Sequence, residues 1–180
     1  MFNTDKPQDI ERVYTTPWIS LDKRTVYRKN GDTFDFYVQQ CSDDVFVFGV
    51  TQDDQALLLN EYYPAVHKHV KTIISGAIDD KNPVKTAELE LLEEAGCEAK
   101  EMIFLGSASR GKYTVGKSYF FLAKGIKKVT EQTLESGEDI EVSFISKQKM
   151  VELVQTDKLE SVFELLCAKK ALEYLGWGIN

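Results

Sequence analysis

Apolar and polar positions along this chain fall into short alternating runs before they settle into helical spacing. Thr25–Tyr27 and Phe34–Val38 are rich in β-branched and aromatic residues and flank Asn30-Gly31-Asp32, a tight-turn signal, so they predict a hairpin. Val45–Val50, a polar turn at Gln52–Asp54 and Ala56–Leu59 repeat the logic. Two hairpins in succession predict an antiparallel meander. Asn82 as N-cap, Pro83 in the first turn and Gly96 at the left-handed C-terminal position predict a helix over 83–95. Beyond it, "EMIFLGSAS" and "KSYFFLAKGI" read as apolar strands around a loop, Ser109–Gly116, and "DIEVSFIS" as an alternating strand. Lys147–Thr156 and Ser161–Leu175 carry apolar residues at three- and four-residue spacing, as two closing helices should. No internal repeat or Pro/Gly/Ser-rich linker interrupts the 180 residues, so a single layered domain of α/β or α+β type is expected.

Charge and cysteine usage narrow the classes of partner. A net charge of −7 and a pI near 5.0 argue against a broad basic surface for nucleic acid, which needs Lys and Arg against phosphates. The 3 cysteines, Cys41, Cys97 and Cys167, are far apart and form no CxxC pair, so they read as reduced, mostly buried thiols. The N-terminus is polar from its third residue, and no stretch approaches the roughly eighteen apolar residues of a membrane span. A cytoplasmic protein without membrane partners is the expectation.

The chemistry concentrates in "TAELELLEEAGCEA", 86–99, which crowds Glu88, Glu90, Glu93 and Glu94 together without a cation. On a helix, residues 90, 93 and 94 are neighbours, and like charges at that spacing repel by a few tenths of a kcal/mol per pair. Leu89, Leu91 and Leu92 offer no compensation. Such a run is either a solvated acidic face or, where the rest of the helix is apolar and buried, a site for a divalent cation; oxygen-only ligands suit Mg²⁺ or Mn²⁺.

The stretch "GAIDDKNPVKTAELELLEEAGC", 76–97, resembles the signature box of the Nudix hydrolases: Gly, five residues, Glu, seven residues, then Arg-Glu-apolar-x-Glu-Glu-x-Gly-apolar. Glu90, Leu91, Glu93, Glu94, Gly96 and Cys97 fall in register. The box's arginine is Leu89, and its first glutamate falls on Lys81 or Asn82, with Asp79 and Asp80 as the nearby acids. The preceding "FVFGVTQDDQALLLNEYYPAVHKHVKTIISGAID" is similar in order to the ADP-ribose and nucleoside-diphosphate-sugar pyrophosphatase branch. Glu61-Tyr62-Tyr63-Pro64 stands where that branch usually has Glu-Tyr-Arg-Pro, and Thr72 where it has a glutamate. The likeness spans roughly 20–175 and implies an α/β/α sandwich with a mixed sheet. It also implies an N-terminal antiparallel β extension, about residues 1–43, used in homodimerisation.

The resemblance implies metal-dependent hydrolysis of a diphosphate linkage in ADP-ribose or a nucleoside-diphosphate sugar. Glu90 and Glu94 would be the principal ligands of Mg²⁺ (or Mn²⁺), with Glu93 sharing or bridging and so entering the catalysis, and the Ser75 carbonyl as a further ligand. Glu138 in "LESGEDIEV" is the first candidate for the base, with Glu135 and Asp139 behind it. Arg110, with Lys112 and Lys117, could meet substrate phosphates or simply be solvated. Tyr63, Tyr62 and Trp18 could stack on a base or pack in the core. His67 and His69 are expected to alternate along a strand on one side, without a third ligand to make a metal site. Leu89 and Thr72 keep a second reading open: a catalytically silent Nudix-fold domain that binds a nucleotide-like ligand or a protein.

Overall fold

The protein is described by a computed structural model that covers residues 1–79 and 81–178. In chain order its elements are β1 (Asp9–Thr15), β2 (Ser20–Tyr27), β3 (Thr33–Gln40), β4 (Asp44–Thr51), β5 (Gln55–Tyr63), β6 (Lys68–Thr72), β7 (Ile74–Ala77), α1 (Pro83–Ala95), β8 (Cys97–Glu98), β9 (Glu101–Ser109), β10 (Thr114–Val115), β11 (Lys117–Lys128), β12 (Ile140–Ser146), α2 (Lys147–Gln155) and α3 (Val162–Leu175). They separate into two compact units, one of Met1–Asp43 with Ala108–Lys117, the other of Asp44–Ser107 with the chain from Ser118 onward.

The first unit is a four-stranded sheet in the order β1-β2-β3-β10. The turn at Asn30-Gly31 joins β2 to β3 in antiparallel register, Tyr27 opposite Thr33. β1 is exposed at every position, so its sequence carries no buried alternation, and hydrophobic patterning passes over it. It is tied to β2 by the Arg12–Asp22 ion pair, and the Arg12 guanidinium holds the Asp22 carboxyl below its ordinary value.

The second unit carries the eight-stranded mixed sheet, with β12-β5-β4-β11-β8 as its path. β4 is buried from Val45 to Val50, as a strand covered on both faces must be. Val45 and Val47 pack with Ala87, Leu91 and Ala95 of α1. Alternate residues point the other way, where Phe46 stacks on Phe163 of α3 at 5.9 Å and accepts a bond at its carbonyl from the Cys167 thiol at 3.3 Å. The sheet thus lies between α1 and α3 as the middle layer of an α/β/α sandwich.

The expected meander does not form. β4 and β5 pair only at Val50 and Ala56; β4 continues against β7 on one side and runs parallel to β11 on the other, while β5 pairs with β6 and β12. Turn chemistry specifies the β4–β5 corner but not how far the pairing extends, which depends on residues distant in sequence. The divergence lets the chain cross from β6 to β7 through the buried Ile73.

α1 starts and stops where the sequence predicts. The Asn82 side chain accepts from the Lys85 N–H, Pro83 opens the helix, and Gly96 ends it at φ 64°. Gly96 also accepts bonds at its carbonyl from the Val129 and Thr130 N–H groups at 2.8 and 3.1 Å. A β-carbon there would meet the Thr130 carbonyl oxygen at 2.2 Å, a backbone atom that cannot rotate away. Gly96→Ala therefore combines left-handed strain with a backbone clash, and urea unfolding should register a loss of about 2–4 kcal/mol; a loss under roughly 0.5 kcal/mol would contradict this account of the cap.

Candidate metal centre

Like any helix, α1 leaves its last carbonyls without partners inside the helix, and here a later loop supplies them. The Thr133 N–H donates to the Glu93 carbonyl at 2.9 Å, and the Gln132 amide donates to the Glu94 carbonyl at 2.6 Å and to that of Ile140 at 3.1 Å. These bonds lay residues 132–138 alongside the acidic end of α1. On the other side runs β7, where the Ser75 N–H donates to Glu94 Oε2 at 3.3 Å. At Gly76 a β-carbon would lie 1.9 Å from Glu90 Oε1, so only glycine lets the Glu90 side chain lie against this strand.

The result is a cleft of about 430 Å³ whose walls include Ser75, Asp79, Glu90, Glu93, Glu94, Glu135 and Glu138, and none of the described residues that line it is cationic. Asp80 lies outside the described residues. The sequence predicts a helix buried by its leucines, yet Leu89 is 43% exposed while Glu94 is only 4% exposed. The helix is rolled so that Glu93 faces solvent, Glu90 is half-buried and Glu94 sits at the bottom.

Burial and repulsion control the protonation of this cleft. Burial first, then the Glu93, Glu138, Glu135 and Asp79 charges, push the Glu90 carboxyl up to about 7. Glu94 is raised well above its ordinary value, chiefly by burial and then by Glu90 and Glu61. Glu61, whose charge acts on Glu94, is the carboxylate that motif reading misses. Burial, with Glu138 and Glu164, pushes it up to about 7. Strand alternation offered the clue, since Leu57 and Leu59 on the same side of β5 belong to the core under α1.

The donors lining the cleft are of the kind that a hard divalent cation takes. All are oxygens, which excludes a thiolate or imidazole site. Among the described residues no three His, Cys, Asp or Glu side chains converge closely enough to cage an ion alone. Mg²⁺ commonly takes one or two carboxylates and completes its shell with water and substrate phosphates, so it does not require such a cage.

The remaining candidates lie elsewhere. The Tyr63 hydroxyl donates to Glu164 Oε1 at 3.0 Å, and the Ser161 N–H donates to Glu164 Oε2 at 3.2 Å. Glu164 is 1% exposed and burial raises its carboxyl despite these donors. Thr72, fully buried, donates to the Ile73 carbonyl. His67 is not on a strand as expected but in the turn after β5, at φ 53°, because its N–H closes that turn onto the Tyr63 carbonyl. Arg110, Lys112 and Lys117 belong to the first unit, where the Arg110 N–H donates to Gly116 and the Lys112 ammonium lies over Tyr113. Trp18, in the same unit, is 84% exposed.

Folded-state carboxyls raised from 4.5 to about 7 bind protons more tightly than the unfolded chain does. Their contribution to stability is complete below the unfolded value and is lost as pH rises through the folded one. In chelator-treated protein the melting temperature should therefore fall between about pH 5 and 8, and Mg²⁺ should restore it most at the upper end. Calorimetric melts that stay level over that window would refute the upward shift that burial and repulsion give these carboxyls.

No protein-family model matches the chain, and no curated protein matches it significantly in sequence. Among solved structures, the crystal structure of an ADP compounds hydrolase superposes with a TM-score of 0.79 over 95% of each chain at 20% identity. The fold of this chain is thus of the Nudix type, a mixed α/β architecture with two sheets and three helices among the described residues.

Proposed function

We propose that the chain hydrolyses the diphosphate linkage of ADP-ribose or a nucleoside-diphosphate sugar with the help of Mg²⁺ or Mn²⁺. The observation that carries this reading is the cleft itself: carboxylates held together by backbone bonds, with Glu94 at the bottom and no cation among the described lining residues. The ADP compounds hydrolase that shares the fold supports the same class of substrate.

In this reading Glu90 and Glu94 would hold the metal, with Glu93 sharing it and the Ser75 carbonyl as a further neutral oxygen. When bound, the metal would offset charge on the phosphate oxygens and acidify the attacking water. Glu138 takes the proton, as a carboxylate acceptor on the opposite wall. Its Oε2 already accepts from the Glu135 N–H at 2.7 Å, a bond that orients the group. Glu135, which also lines the cleft, is the alternative base, whereas the Asp139 carboxylate is engaged by His69 at 3.0 Å. Tyr63, whose hydroxyl donates to Glu164, is the candidate to stack on a base.

One observation favours the alternative, a silent domain that binds a nucleotide-like ligand or a protein: Leu89 is exposed where the resemblance places an arginine. The proposed protein acts as a homodimer through its N-terminal strands; the support is β1, an edge strand exposed along its whole length, with Ile10 and Tyr14 more than half exposed. No helix among the described residues is long and apolar enough to cross a membrane.

Hydrolysis of ADP-ribose, GDP-mannose, ADP-glucose and dinucleoside polyphosphates with Mg²⁺ or Mn²⁺ tests the activity. Turnover by the native chain should drop at least about a hundredfold in Glu94→Gln, which keeps the acceptor for Ser75 but loses the charge. A native chain without turnover or calorimetric metal binding would replace this reading with the silent domain. Sedimentation equilibrium at micromolar concentration should give twice the 20.5 kDa chain mass; a single-chain mass would remove the dimer.

A further inference from the structure

The loop that carries Glu138 is held at both ends, and its second anchor uses side chains that the cleft does not. At the first end the Thr133 N–H bonds the Glu93 carbonyl. At the second, Asp139 accepts from the Tyr62 N–H at 3.0 Å, extending the β5–β12 ladder by one residue beyond Ile140. Tyr62 is in turn directly opposite His69 on β6. Asp139, Tyr62 and His69 therefore form a row across three neighbouring strands, and strand alternation directs the next row, Ile140, Glu61 and Val70, to the opposite face.

His69 reaches along that row. Its Nε2 meets Asp139 Oδ2 at 3.0 Å, and its ring stands edge-on to Tyr62 with centroids 5.6 Å apart. The Tyr62 hydroxyl is hydrogen-bonded to Nδ1 of His67, whose ring is also edge-on to Tyr62. The 2 histidines of the chain thus both close on one tyrosine, and one of them grips the residue that follows Glu138. Both members of the His69–Asp139 pair are substantially exposed, 44% and 68% for the side chains, so the contact adds little to global stability. What it restrains is local: the direction in which the chain leaves the loop.

We propose that His69 is a positioning residue for Glu138: with Tyr62 beneath it, it straps Asp139 across β5 and fixes the end of the loop that presents the base. The inference rests on the hydrolase reading for its catalytic consequence, while its hold on the loop can be measured without activity.

The experiment compares the full native chain with His69→Ala and His69→Gln, since the glutamine amide can place a donor where Nε2 stood. Amide hydrogen exchange is followed at Glu135 and Glu138, urea unfolding reports global stability, and steady-state hydrolysis is run on the substrate panel. In His69→Ala the loop amides should exchange about tenfold faster while the urea midpoint stays in place. The kcat should fall roughly tenfold or more with KM within about twofold, because the base is misplaced and substrate binding is not. His69→Gln should recover both. Unchanged loop exchange in His69→Ala, or no recovery with glutamine, overturns the strap. If the native chain hydrolyses nothing while exchange behaves as described, the strap stands and the hydrolase reading falls.

Discussion

A carboxylate leaves water at a cost of several kcal/mol unless something offsets its charge, and this chain sinks Glu94 to 4% exposure with Glu90 and Glu61 beside it. The Ser75 N–H is a weak counterweight at 3.3 Å. The system can respond in two ways. Protons bind, which is why the carboxyls titrate upward, or a divalent cation enters and makes the repulsion the source of its affinity. Everything proposed about chemistry depends on which response prevails near neutral pH.

Maintaining that tension requires a rigid frame, and the frame is mostly backbone. Strands β4 and β7 hold Ser75 and Gly76 in register, and the absence of a side chain at Gly76 lets Glu90 approach. The closing loop is fastened to carbonyls that the helix end leaves over. One helix terminus therefore serves two purposes: it presents the glutamates and recruits the loop that faces them. Glu164 does something comparable at the start of α3, where the same carboxylate that completes the capping box also takes the Tyr63 hydroxyl.

The similarity to an ADP compounds hydrolase at 20% identity speaks to how the backbone is arranged. Folds of this kind outlast their chemistry, and activity resides in the side chains placed on them. Here those side chains include departures with physical consequences. An exposed leucine at position 89 supplies no charge to steady its neighbours, and a buried threonine at 72 donates to backbone in place of offering an acid.

The sequence by itself determined the local structure. Asn82, Pro83 and Gly96 delimit α1 because caps and left-handed backbone are decided within a few residues, and Ser146 and Ser161 open α2 and α3 for the same reason. It also placed Glu90, Glu93 and Glu94 side by side, since helical spacing alone does that. Only the tertiary structure decided which of them is buried, because helix roll follows the whole contact surface and not the hydropathy of single positions such as Leu89. The parallel match of β4 to β11, the parting of β4 from β5, and the meeting of Glu61, Glu94 and Glu138 likewise join residues far apart in the chain. Their proximity is a property of global packing, in which each pairing must satisfy backbone bonds and burial at the same time, and no local pattern encodes it.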